Sequence, residues 1–316
     1  MQIFLQIILM IVGLVLLIKG SDLFVEASSN IAKKLKVPPI LIGLTIVAFG
    51  TAAPEIVISI SSARSGLSGL AMGNLIGSNV FNLIFILGVC SLIGPFVVDF
   101  KKIYKEFLFS VFAAIAVLTM LIFSYDYITR LASGVLLVVF AIYMFMIIKQ
   151  NLKTKEEEVE TEASKKLKPV WLSLLLILVG LGMILFGADL VVDSAVFIAE
   201  TFGISDRVIG LTIIAAGTSL PELSISIFAF KKGRGDLALG NIIGSNVFNI
   251  LFILGLTGVI TPLAVDPALI IDSAVLLIGS LITLLFLYTG KKMIRFEGIA
   301  LLAIYFGYMI HMALNL

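Results

Sequence analysis

One cysteine, one histidine and one tryptophan in 316 residues, with only 13% of residues charged, exclude a good deal. A lone Cys90 inside an apolar run can form no disulfide framework and reads as a small core hydrophobe. His311, near the C-terminus, reads as a surface residue, so no His/Cys cluster exists to suit zinc or copper. No nucleophile sits beside a base and no paired-aspartate motif occurs, which leaves an intramembrane enzyme without machinery. A polar stretch long enough for a soluble domain is missing too. Only about 149–168, with Glu156-Glu157-Glu158 between lysines, lacks apolar character, and it reads as a solvated connection. The first apolar run, Ile3 to Ile18, has neither a basic leader nor a small-residue cleavage motif, and is expected to be kept as a span.

What is present is hydrocarbon: 60% of residues are hydrophobic and the mean hydropathy is +1.18. The apolar runs are far longer than barrel strands need, so the expected class is an all-α membrane protein. Ten spans are predicted near 3–30, 38–63, 68–93, 105–123, 128–148, 169–198, 206–230, 236–260, 268–289 and 296–315. Their connections then separate by charge. One side collects Lys33, Lys34, Lys36, Lys101, Lys102, Lys105, the lysines of 149–168, Lys231, Lys232, Arg234, Lys291, Lys292 and Arg295. The other side receives Arg64, Arg130 and Arg207. The crowded side is expected to be cytoplasmic, which places both termini outside a cell (cytoplasmic) membrane.

The two halves are copies. A shift of 167 residues aligns Gly20–Gly88 with Gly187–Gly255 without a gap, at about half the positions identical. The expected organisation is a first five-helix repeat over 1–148, a linker over 149–168 and a second repeat over 169–316. Five spans per copy is an odd number, so the second copy is predicted to be inverted, the architecture of transporters that alternate access around a midplane site.

Polar residues at membrane depth mark function by default. The stretch Gly50-Thr51-Ala52-Ala53-Pro54-Glu55 returns as Gly217-Thr218-Ser219-Leu220-Pro221-Glu222. In each, proline removes a helical N–H and crowds the carbonyl four residues back, Gly50 or Gly217. The stretch Gly73-Asn74-Leu75-Ile76-Gly77-Ser78-Asn79-Val80-Phe81-Asn82 returns as Gly240-Asn241-Ile242-Ile243-Gly244-Ser245-Asn246-Val247-Phe248-Asn249. Spacing of four puts Asn74, Ser78 and Asn82, or Asn241, Ser245 and Asn249, on one polar stripe. Gly73 and Gly77 beside it would allow close approach of another helix.

Carboxylates, hydroxyls, amides and freed carbonyls form an all-oxygen set suited to hard cations such as Ca2+ and Na+. Two carboxylates would neutralise one divalent ion. Alternatives stand beside each residue. The glutamates could serve buried structural hydrogen bonds. Thr51, Thr218, Ser219, Ser78 and Ser245 could bond back to their own helix carbonyls. Asn82 and Asn249 could join helices without touching an ion, and Asn74 and Asn241 could stitch a helix break. Asn79 and Asn246, off the stripe, read as packing, as do Phe81 and Phe248. Asp22 with Glu26, and their copies Asp189 with Asp193, read as interfacial anchors or partners of Lys19.

The doubled Gly-Thr-Xaa-Xaa-Pro-Glu and Gly-Asn-Xaa-Ile-Gly-Ser-Asn motifs resemble the α-repeats of the cation/calcium exchanger superfamily, most closely its compact microbial sodium/calcium exchangers. The resemblance covers essentially the whole chain. It implies ten helices, one calcium position flanked by sodium positions, and sliding of the first and sixth helices across the other eight. By position it implies calcium ligands at Glu55, Glu222 and the carbonyls near Thr51 and Thr218. Sodium positions would draw on the same glutamates, Thr51, Thr218, Ser219, Ser78, Ser245 and the carbonyls of Ala48 and Ala215; Asn82 and Asn249 complete the candidate set. Two departures stand out. Ala52 replaces a serine common in the first repeat, and Asn249 replaces a common aspartate, leaving at most two negative charges.

The expected function is export of Ca2+ in exchange for Na+ through a central two-glutamate site, with no cofactor, no nucleic acid partner and a lipid-embedded monomer as the working form. Proton/calcium antiport is the alternative in the same class. A calcium-permeable channel is the alternative from another class, disfavoured because channels usually gather acids around an oligomer axis, whereas the pairing here is internal.

Overall fold

The computed structural model describes residues 2–35, 37–94, 96–97, 100–124, 126–153, 169–203, 215–290 and 292–315. Most of the 149–168 connection, together with Lys36, Arg207, Lys291 and the start of the seventh expected span, lies outside them. The helices in chain order are α1 (Gln2–Leu35), α2 (Pro39–Thr51), α3 (Ala53–Arg64), α4 (Ser68–Ile93), α5 (Phe100–Phe123) and α6 (Arg130–Lys153). There follow α7 (Val170–Thr201), α8 (Ala215–Thr218), α9 (Leu220–Lys231), α10 (Gly235–Ile260), α11 (Ala268–Gly290) and α12 (Arg295–Asn315). Among the described residues seven helices are long and apolar enough to cross a membrane, and the broken pair α2–α3 makes an eighth. The expected second span is thus two helices, interrupted at Ala52 two residues before Pro54. The first and sixth spans run on through their polar interruptions as single helices of 34 and 32 residues.

Two compact units share the chain. The first comprises Met1–Thr51 and Ile148–Asn241; the second comprises Ala52–Ile147 and Ile242–Leu316. Each draws on both sequence halves.

The first unit is built on α1 packed along α7. A Cβ on Gly13 would lie 2.7 Å from the Gly187 carbonyl oxygen, and one on Gly20 would lie 2.8 Å from that of Gly180. Only glycine lets the two backbones approach so closely. Since Gly13 meets Gly187 while Gly20 meets Gly180, the helices run antiparallel. Under the 167-residue shift Gly13 corresponds to Gly180 and Gly20 to Gly187, so one contact maps onto the other. Around this seam Leu17, Phe24, Ile31, Val47, Ile177, Ile184 and Ile225 form a buried apolar cluster. Asn30 donates to Ser173 Oγ at 2.6 Å and Ser21 to Ser224 Oγ at 2.9 Å, adding polar ties within it.

The second unit repeats its own contacts in the same manner. Strands β1 (Phe96–Val97) and β4 (Lys292–Met293) pair antiparallel, with Phe96 opposite Met293. Strands β2 (Tyr127–Ile128) and β3 (Leu263–Ala264) pair likewise, with Ile128 opposite Leu263. Phe81, Phe85 and Tyr305 form one aromatic group; Phe248, Phe252 and Phe140 form its counterpart. Phe81 and Phe248 pack as the sequence led one to expect.

Candidate ion site

Within the first unit the chain breaks its helix at Ser219, whose φ of −95° and ψ of 7° separate α8 from α9. Pro221 falls in the first turn of α9, where its missing N–H costs nothing, and Glu222 follows in that same turn. The carboxylate is fully buried. It stands at the N-terminal end of α9, while the preceding short helix α8 turns its carbonyl end toward the break. The sequence Ser219-Leu220-Pro221-Glu222 has the spacing of a capping box, yet Ser219 makes no side-chain cap bond. Its buried Oγ has no hydrogen-bond partner. Thr218 is buried beside it. The Ala215 carbonyl belongs to the first residue of α8.

In the first copy, Thr51 ends α2 and donates to the carbonyls of Val47 at 3.2 Å and Ala48 at 3.3 Å. Back-bonding to its own helix, one of the two readings open for this residue, is what the hydroxyl does here. The Ala48 carbonyl, in the last helical turn before the break, already accepts that hydroxyl. A π-turn at Gly43–Val47 precedes it. Asn241, left open between capping and ligation, donates to the Glu222 carbonyl at 3.2 Å and Ser226 Oγ at 3.0 Å, so it stitches α10 to α9.

Within the second unit, Glu55 occupies the first turn of α3 behind Pro54 and is fully buried, as Glu222 is in α9. Its N-cap residue is Ala52, which offers no hydroxyl. Ser59 donates to the Ala71 carbonyl at 3.4 Å and joins α3 to α4. Ser78, Asn82, Ser245 and Asn249 are all buried. Ser78 Oγ has no hydrogen-bond partner, and neither does either polar atom of the Asn82 amide.

Two expectations need correction here. Asn79 and Asn246 are not simple packing residues: the Asn79 amide donates to the Asn246 carbonyl at 3.0 Å, and the Asn246 amide donates to that of Asn79 at 3.3 Å. Asn249 Nδ2 donates to Asn79 Oδ1 at 2.9 Å. Nor do Gly73 and Gly77 bring a helix backbone close. A Cβ on Gly73 would meet only a leucine methyl, from Leu269 at 3.7 Å, and one on Gly77 would meet nothing within 4 Å. At Gly77 the face beside the polar stripe is open rather than packed.

The stripe itself is bent by π-turns at Phe81–Ile86 and Phe248–Leu254, which contain Asn82 and Asn249. Such turns widen the helix locally, shift side-chain register and recur at functional sites. Spacing arguments that assume a regular α-helix miss them. Among the described residues no three His, Cys, Asp or Glu side chains gather to hold a metal ion. A cation held by these residues would therefore meet mainly neutral oxygens.

Charges at the helix ends are arranged separately. Asp22, expected to be an interfacial anchor or a partner of Lys19, pairs with Lys232 at 2.5 Å, because the turn after α9 brings that lysine to the α1 face. Arg234 donates to the Val25 carbonyl at 2.8 Å. Burial lowers the guanidinium's pKa from its usual value, and the charge of Glu26 acts in the opposite direction.

A family model described as sodium/calcium exchanger protein matches residues 5–149 and 172–314. The sodium/calcium exchanger MaX1 of Methanosarcina acetivorans is 32% identical, over 96% of this chain and 97% of its own. The uncharacterized membrane protein MJ0091 of Methanocaldococcus jannaschii is 39% identical, over 93% of this chain and 94% of its own. A solved structure of the sodium-calcium exchanger NCX_Mj superposes with a TM-score of 0.82 at 36% identity, covering 96% of each chain.

Proposed function

We propose, from the premise that this chain belongs to the sodium/calcium exchanger family, that it is a multi-pass membrane antiporter that exports Ca2+ in exchange for entering Na+. Its ten spans form two inverted five-helix repeats, 1–148 and 169–316, with both termini outside the cell membrane. A monomer embedded in lipid is the working unit.

The cation site uses Glu55 and Glu222 as its two charges. The carbonyls near Thr51 and Thr218 serve Ca2+. Thr51, Thr218, Ser219, Ser78, Ser245, Asn82, Asn249 and the Ala48 and Ala215 carbonyls are the neutral oxygens from which Na+ positions are drawn. The supporting observation is the duplicated break: in each copy a fully buried glutamate stands in the first turn of a helix that restarts after an interruption. Ca2+ neutralises both carboxylates; Na+ does so in its turn. An empty site would carry two uncompensated charges through the occluded state at a cost of several kcal/mol, on the order expected for ionised groups at membrane depth. Coupling follows, because only loaded sites cross between the two openings, and alternating access needs no covalent chemistry.

The chain reconstituted in sealed vesicles tests this directly. Uptake of 45Ca2+ should follow an outward Na+ gradient, and Glu55→Gln or Glu222→Gln should reduce it at least about a hundredfold, the scale of losing a buried charged ligand. Uptake that ignores Na+ and follows a pH gradient would establish the second reading, proton/calcium antiport, which Ala52 favours by withholding a hydroxyl that Ser219 supplies in the other copy.

A further inference from the structure

Outside the helix breaks, the α5–α6 pair buries an acid that the exchange mechanism does not use. Glu106, near the start of α5, is 5% exposed, and its Oε2 has no hydrogen-bond partner. Tyr143, on α6, is 2% exposed, and its hydroxyl has no partner either. The two are neighbours. The Tyr143 ring stacks on Phe109 with centroids 4.4 Å apart, and Phe109 follows Glu106 by three residues on the same face of α5. Glu106 accordingly acts electrostatically on the phenol. Both residues belong to the second unit.

Among the described residues no cation is paired with this acid. Lys105 is exposed and acts on it only through space. Along α6 up to Ile147 the titratable and charged groups are Tyr143 and Arg130, and Arg130 sits at the opposite end, donating to the Ile260 carbonyl. α11 packs against α5, and the β1–β4 pair sets its end beside the start of α5; the titratable group there is Tyr288, 68% exposed. Asp272 lies at the other end of α11. The π-turn of α10 that meets α5, Phe248–Leu254, holds no titratable residue.

An unpaired carboxylate in an apolar interior is among the costliest groups a fold can hold. Ca2+ does not answer that need, since it takes about six to eight oxygens and one carboxyl beside one phenol falls far short. A proton needs a single oxygen. On Oε2 it removes the charge and makes the acid a donor, for which the Tyr143 hydroxyl is the adjacent acceptor. One proton satisfies both orphaned groups. The α11–α12 pair shows a contrasting solution. Tyr308 stands thirteen residues after Arg295, as Tyr143 does after Arg130, and donates to Asp272 Oδ1 at 2.9 Å. That acid is only half-buried.

We propose that Glu106 and Tyr143 form a proton-binding site between α5 and α6, separate from the cation site, in which the Glu106 carboxyl holds the proton and donates to Tyr143 Oη. The proton stays in the folded chain whichever ion drives exchange. Its loss at alkaline pH puts an unpaired charge into the second unit and weakens it.

Infrared spectroscopy of the full chain in lipid reads the proton directly, because a difference spectrum against Glu106→Gln isolates this one group. At neutral pH it should contain the C=O stretch of a protonated carboxyl, lost in the variant. Tyr143→Phe keeps a ring against Phe109 but removes the acceptor, so it should move that stretch without abolishing it. Unfolding in detergent gives a second readout. The fold keeps a proton that the unfolded chain releases, so the unsubstituted chain should lose stability relative to Glu106→Gln as pH rises from about 5 to 8, approaching about tenfold in the folding equilibrium per pH unit. Ionised-carboxylate bands alone in the difference spectrum, or stability profiles that run parallel with pH, overturn the proton site. An unmoved stretch in Tyr143→Phe overturns the pairing with the phenol. Should Glu106→Gln fail to fold, the displacement of the stretch in Tyr143→Phe decides the matter.

Discussion

Asn79 and Asn246 each donate a side-chain amide hydrogen bond to the other's backbone carbonyl, at 3.0 and 3.3 Å, across a separation of 167 residues. That separation is the shift that aligns the two halves of the sequence. Reciprocal bonding between equivalent positions is what a twofold relation produces. The same exchange of partners recurs in the strand pairs β1–β4 and β3–β2, in the two aromatic groups, and in the glycine contacts of α1 with α7. Since α1 and α7 are sequence copies and run antiparallel, these contacts support the inverted arrangement proposed for the repeats.

Removing Asn246 should therefore cost more than a surface polar residue. Asn246→Ala deletes one donor and leaves the buried Asn79 carbonyl with its remaining bonds only, a loss of about 1–3 kcal/mol. Thermal unfolding in detergent should show a lower midpoint. A midpoint equal to that of the unsubstituted chain would mean the reciprocal bonds add no net stability.

The α1–α7 seam gives a steric prediction. Gly20→Val would place Cβ 2.8 Å from the Gly180 carbonyl oxygen, a backbone atom that cannot rotate aside. Overpacking of this kind costs about 1–3 kcal/mol and forces the helices apart. Gly77→Ala, where a Cβ would meet nothing within 4 Å, should be tolerated in folding. Midpoints measured side by side check the contrast, and equal effects would refute it.

Ala52 and Ser219 hold the same place at the two helix breaks, both fully buried, and only Ser219 carries a hydroxyl. Under Na+/Ca2+ exchange, Ala52→Ser should restore a sodium ligand. The half-saturating Na+ concentration should fall several-fold, or the Hill coefficient should rise, in Na+-dependent Ca2+ efflux. An unchanged sodium curve would show that position 52 is silent.

The two cations after α9 should differ in weight. Lys232 and Asp22 are partly exposed, so Lys232→Ala should change stability by no more than about 1 kcal/mol and less at high salt. Arg234 is half-buried and donates to the Val25 carbonyl, so Arg234→Ala should cost about 1–3 kcal/mol with little salt dependence. Unfolding midpoints at low and high ionic strength distinguish them; equal losses would mean that burial does not matter there.

Much of the fold was legible because membrane insertion leaves few options. A chain so apolar must close its backbone hydrogen bonds in helices, and the doubled motifs announce a duplication. The buried glutamates were legible for the same reason, since a carboxylate beside proline in an apolar run has few bland explanations. The interruptions at Ala52 and Ser219 were only half legible. Proline marks a disturbance, but whether it lies inside a helix or begins a new one depends on the neighbours that receive the freed backbone groups.

Sequence by itself therefore determined the class, the repeat and the residues carrying polar atoms at depth, because these follow from composition and periodicity, while the family was legible through the resemblance of the doubled motifs. Tertiary structure alone decided what those atoms do. It bends the stripes through π-turns, turns Thr51 back on its own helix, bonds Asn249 Nδ2 to Asn79 and leaves the Asn82 amide unbonded. The physical reason is that a hydrogen bond between residues 170 apart depends on angles and distances set by the packing of whole helices, and two asparagines identical in motif receive different partners from it.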